Sequence, residues 1–144
     1  MRAILVAAAA AMAVSTAAGA AEVKTYSYDG SFDEATFAVE SAIIDRGLVV
    51  DYVSHVGEML NRTGKDVGSD KKIFEAADVF LFCSAVTSRK VMEADPMNIA
   101  YCPYGIFVAD QGGKVVVGYR TYPEGPMQEV QSLLDEIARE ATSE

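Results

Sequence analysis

The chain has 144 residues, with 12 basic side chains, 21 acidic ones and a single histidine, for a formal net charge of −9. That balance excludes nucleic acid and anionic lipid surfaces as natural partners and favours a cationic partner or a metal ion. Two cysteines are too few for a disulfide scaffold, so an apolar core has to carry the fold.

In chain order, Met1-Arg2 supplies one positive charge, an apolar stretch runs from Ala3 to Val14, and small residues end in Ala18-Gly19-Ala20. This is the charged, apolar and A-x-A succession of a secretory signal peptide. The run falls short of the ~20 apolar residues of a membrane span. The expectation is a signal peptide over residues 1–20 and a single mature domain over 21–144. That domain is periplasmic or secreted, with no stable membrane insertion after processing. Without Arg2 the mature part carries 11 basic against 21 acidic residues.

Val23–Tyr28 alternates apolar and polar residues and predicts a strand. Asp29-Gly30 is a turn. Ser31 and Glu34 form a capping box that opens a helix running to Arg46, with Ala35, Ala38, Val39, Ala42 and Ile43 as its buried stripe. Leu48–Val53 reads as a second strand. Val56–Arg62 reads as a short helix ended by Gly64, and Lys65–Lys72 as a polar loop. Asp78–Ser84 is almost wholly apolar, the pattern of a central strand buried on both faces.

Ser88–Ala94 predicts a short helix stopped by Asp95-Pro96. Tyr104–Ala109 and Lys114–Tyr119 flank Asp110–Gly113, a hairpin signal. The last helix starts at Pro126, and Met127, Val130, Leu133, Leu134, Ile137 and Ala138 repeat at three and four residues. The elements predict an α+β fold: a two-layer sandwich of one mainly antiparallel sheet with the two long helices packed on one face.

Four residues are candidates for chemistry. Cys83 ends the apolar strand and Cys102 precedes the next one. If the two strands pair, the Cα atoms come within roughly 7 Å, the reach of a disulfide. A disulfide, two separate core thiols and a shared metal or redox site all remain open. The spacing is neither C-x-x-C nor C-x-x-C-H, so thioredoxin-like chemistry and covalent c-type haem have no motif. His55 and Met59 are four apart, on one face if Val56–Arg62 is helical. An imidazole and a thioether could there ligate copper or non-covalent haem. The alternative is a packed histidine beside a core methionine. Tyr101, Cys102, Pro103, Tyr104, Tyr119, Tyr122 and Pro123 gather near strand ends, as a pocket, a dimer seam or a core rim.

The stretch from His55 through Ala109 resembles the bacterial and archaeal domain-of-unknown-function family 302. The likeness rests on the apolar strand ending in a cysteine, Phe80-Leu81-Phe82-Cys83, and on the acidic-Pro turn Asp95-Pro96. It rests also on the second cysteine before an apolar strand, Cys102-Pro103-Tyr104-Gly105-Ile106-Phe107-Val108. The sequence departs from the commoner pattern at Ser84-Ala85, where Asn-Pro is usual. The resemblance implies a small α+β fold and a homodimer, and no activity. A homodimer also follows from an open sheet, whose edge strands must be covered or paired.

Two functions fit. One is an exported, non-catalytic binding or accessory domain holding a small ligand, metal or haem near Cys83, Cys102 and His55. The other is a thiol-dependent enzyme with Cys102 as nucleophile and His55 as base, which requires the two within hydrogen-bond reach.

Overall fold

The computed structural model describes residues 22–143. The signal peptide expected over residues 1–20 lies outside the described residues. The chain opens with strand β1 (Val23–Tyr28) and helix α1 (Phe32–Asp45). The capping box forms as the sequence predicts. The Glu34 amide donates to Ser31 Oγ at 3.2 Å, and the Ser31 amide donates to Glu34 Oε2 at 2.8 Å. That backbone donor, followed by the Ser31 hydroxyl, holds the Glu34 carboxyl below its ordinary range. Gly47, at φ +72°, takes the left-handed position after the helix end.

Strand β2 (Val49–Ser54), helix α2 (Val56–Thr63) and strand β3 (Ala76–Cys83) follow. Then come helix α3 (Ala85–Ala94), strands β4 (Tyr104–Gln111) and β5 (Lys114–Arg120), and helix α4 (Gln128–Thr142). Gly112 and Gly113 both have positive φ and close the β4–β5 hairpin as a two-residue turn. Such a turn matches the twist of the flanking strands, and glycine adopts it without strain.

The five strands pair in the order β1-β5-β4-β3-β2, every pair antiparallel. The α+β sandwich read from the sequence is therefore the fold. β1 and β2 lie at opposite edges, and α1 crosses the sheet between them. α1 and α4 pack side by side on one face. There Val39 and Ile43 of α1 and Val130, Leu134 and Ile137 of α4 meet Phe80, Phe82, Ile106, Val108 and Val117 of the sheet. Burying each such side chain contributes roughly 1.5–3 kcal/mol before the entropy cost of ordering it.

Three details differ from the sequence reading. β3 is covered on one face only. Phe80 and Phe82 point under the helices and are buried, whereas Val79, Leu81 and Cys83 on the other face are half-buried. The apolar run therefore reflects two different surroundings. α3 begins at Ala85 rather than Ser88, because Ser84 caps it: the Thr87 amide donates to Ser84 Oγ at 3.2 Å. α4 begins at Gln128 rather than Pro126, with Met127 buried as its N-cap residue.

Candidate functional site

The β3–β4 register sets Phe82 opposite Tyr104, and this fixes the cysteines. Cys83 follows one partner and Cys102 lies two residues before the other. Their Cα atoms are 6.7 Å apart and the sulfurs are joined in a disulfide. Of the alternatives open in the sequence, the bridge is the one present, and it leaves neither cysteine as a free thiol.

His55 lies elsewhere. It sits at the N-terminal end of α2 and its Nδ1 hydrogen-bonds Asp78 Oδ1 at 2.8 Å. The imidazole is 59% exposed and the Asp78 side chain 16% exposed, so a sheltered carboxylate orients an open ring. Asp78 and Cys83 are five positions apart on β3, about 17 Å at strand rise. The Cys102–His55 pairing that a thiol enzyme needs is therefore not assembled in this structure.

Met59 is not among the residues that line the cleft beside His55. The cleft beside the imidazole, about 550 Å³, is lined on α2 by Glu58, Asn61 and Arg62. Met59 is 42% exposed, and its sulfur accepts a long hydrogen bond from Thr63 Oγ1 at 3.8 Å. The Met59 amide donates to the His55 carbonyl at 3.1 Å, so the two residues stand one turn apart, while the His55 ring is engaged by Asp78 of β3. Phe32, Glu75 and Asp78 complete the cleft. It carries three carboxylates beside Arg62; Glu75 is ion-paired with Lys72 and Asp78 is hydrogen-bonded to His55. Among the described residues no three His, Cys, Asp or Glu side chains converge as a metal-binding group.

α2 is placed by one residue. Gly57 is buried against the β3 backbone, and a Cβ there would stand 2.4 Å from the Ala77 nitrogen. Without a side chain the helix lies directly on the strand. That contact brings His55 within reach of Asp78.

The tyrosines divide into two groups. Tyr101, Tyr104 and Tyr122 meet at the disulfide end, with ring centroids of Tyr122 at 5.8 Å from Tyr101 and 6.3 Å from Tyr104. The Arg120 guanidinium lies over both Tyr101 and Tyr122. Tyr104 and Tyr122 are buried, which makes this a core rim rather than an open pocket. Burial raises the Tyr122 phenol above its usual range, against the lowering effect of Arg120.

Tyr119 belongs to a second group that the sequence reading missed. The hydroxyls of Tyr26 and Tyr119 both donate to Asp135 Oδ1, and Arg139 Nε donates to Asp135 Oδ2 at 2.9 Å. Burial opposes the charge on Asp135, but the three donors outweigh it and bring its carboxyl from 3.8 to about 2. The faint signal was there: Tyr26 and Tyr119 occupy inward strand positions, and Asp135 flanks the apolar stripe of α4.

This network ties α4 to edge strand β1 through Tyr26 and to β5 through Tyr119. Asp135→Asn keeps an acceptor and loses the charge, so it should cost about 1 kcal/mol in urea unfolding. The wild type holds this stabilisation above the ordinary carboxyl pKa and loses it as pH falls from about 5 toward 2. The variant's stability should be flatter over that window. Parallel acid profiles for the two proteins would refute the assignment.

Fold and bridge together define a small two-layer α+β domain closed by one disulfide at a sheet end. The chain belongs to the family described as Domain of unknown function DUF302, whose model matches residues 23–143. The fold is similar to the crystal structure of the uncharacterized conserved protein DUF302 from Bacillus stearothermophilus. The TM-score is 0.60 at 15% identity, covering 84% of this chain and 93% of that one. No curated protein matches the chain.

Proposed function

We propose that this protein is an exported, homodimeric, non-catalytic binding domain that holds a small cationic ligand in the cleft beside His55. The observation that carries the reading is the Cys83–Cys102 disulfide. Disulfides persist in oxidising compartments, in keeping with the leader-like first 20 residues. The bridge also occupies both thiols, which removes the nucleophile from the enzyme alternative. The cleft supplies one oriented imidazole, with Asp78 fixing Nδ1 and leaving Nε2 for a partner. The carboxylates of Glu58, Glu75 and Asp78 outnumber the cations beside them, Arg62 and Lys72, and so favour positive charge. The open sheet, with β1 and β2 each paired on one side only and its helices on one face, supports the dimer by leaving surface that a second copy can meet.

The test is purification from the periplasm of an exporting host, followed by N-terminal sequencing, intact mass, metal analysis and an absorption spectrum. The reading expects a start at or beside Ala21 and a mass two hydrogens below the dithiol form. Titrations with Zn²⁺, haemin and an organic diamine, followed through the His55 imidazole resonances and the backbone amide resonances of the cleft, should show saturable binding of a cation, and His55→Ala should abolish the amide shifts. A protein that keeps Met1 in membrane-free cytosol, with both thiols reactive, would sink the export reading. Imidazole resonances unmoved by all three probes would sink the site.

A further inference from the structure

The two long helices cover one face of the sheet. The opposite face carries Val49 and Tyr52 of β2, Val79 and Leu81 of β3, Phe107 of β4 and Val116 of β5, as the strand register dictates. Val49 is 71% exposed and Tyr52 63% exposed, and the four central side chains are half-buried.

Two glycines make room for the large side chains of this face. Gly105 and Gly118 stand among these residues, and the large side chains lie across them. A Cβ on Gly118 would meet the Phe107 ring at 2.5 Å, and one on Gly105 would meet Leu81 and Val79 at 3.4 Å.

Charge singles out the occupant. None of the paired positions on this face is acidic, and its paired charges are Lys114 and Arg120; the one acid in the outer strand β2 is Asp51, the exposed bulge residue beside Tyr52. Two copies of so acidic a chain repel one another over most of their surfaces. They can approach where the carboxylates are missing.

The area is sufficient as well. Five strands about 4.8 Å apart and about 20 Å long give roughly 500 Å² of projected face per copy. Two such faces reach the ~1,000 Å² that a specific interface needs.

From this we infer that the helix-free face of the sheet is the surface on which a second copy of this chain docks, sheet against sheet. The inference rests on the homodimer reading and assigns its interface. Face-to-face packing of twisted sheets with apolar inner surfaces is the established geometry of sandwiches.

Sedimentation of the purified protein and two variants tests it. Val49→Glu/Tyr52→Glu alters the two exposed apolar positions of β2 on this face and spares its half-buried centre. The variant should keep the wild-type circular dichroism and raise the dimer dissociation constant by at least about tenfold. Phe37→Glu alters an equally exposed apolar residue (72%) on the outer side of α1 and should leave the constant unchanged. A wild type that is monomeric at all concentrations would overturn the homodimer reading itself. A dimer unaffected by the double variant, or one dissociated by Phe37→Glu, would overturn the interface and leave the homodimer standing.

Discussion

Cys102→Ser should lower the unfolding free energy by about 3 kcal/mol. The cross-link joins residues 19 apart in sequence, and closing a loop of that size removes about this much chain entropy from the unfolded state. For a domain of this length the loss corresponds to a fall in Tm of roughly 10 °C. Cys83 is half-buried where β2 pairs with β3, so its released thiol meets no prohibitive environment. Native-like far-ultraviolet circular dichroism with a lowered urea midpoint is the expected result. An unfolding free energy within about 0.5 kcal/mol of wild type would mean that the bridge constrains nothing. The disulfide-reduced wild type should melt close to the variant, because the mechanism acts through the unfolded chain.

Gly57→Ala should destabilise the domain by roughly 2 kcal/mol, against the sign that helix propensity gives. In an isolated helix alanine is favoured over glycine by about 1 kcal/mol. Here the added methyl would stand 2.4 Å from the Ala77 nitrogen and 3.1 Å from the Ala76 carbonyl carbon. The obstruction is strand backbone, so α2 itself has to move. Such overpacking costs up to about 3 kcal/mol, which exceeds the propensity gain. The displacement also carries His55 away from Asp78, so the His55 imidazole resonances should shift in the variant. A stabilised Gly57→Ala protein with unchanged imidazole signals would show that α2 rides clear of β3.

Much of this fold is legible in the residues because the relevant signals are local. The Ser31–Glu34 box, the alternation of Val23–Tyr28 and the Gly112-Gly113 turn each act within a few residues. The cysteine geometry was legible one step further on. Once the strand holding Phe82 pairs with the strand holding Tyr104, the 6.7 Å separation follows.

What the sequence hid depends on side chains far apart along the chain. Asp78 reads as one polar residue at the start of an apolar strand, and its partner His55 is 23 positions away. Asp135 meets Tyr26 across 109 positions. No periodicity encodes such pairs. The open face of β3 was misread because periodicity reports that a side chain is apolar, not which layer covers it. Val79 and Leu81 would look the same under a helix.

The order of the strands has a consequence for the export proposed above. β1, the first strand after the leader-like segment, pairs only with β5, Val23 lying opposite Arg120. The sheet therefore cannot be completed until nearly the whole polypeptide is available, and so long a closure is intrinsically slow. A nascent chain threaded through a membrane pore has to remain unfolded until it is across. Here the seam that locks the amino-terminal strand is supplied by one of the last segments to be synthesised. The topology by itself postpones closure, and it does so at the end of the molecule that a translocation machinery would have to grip.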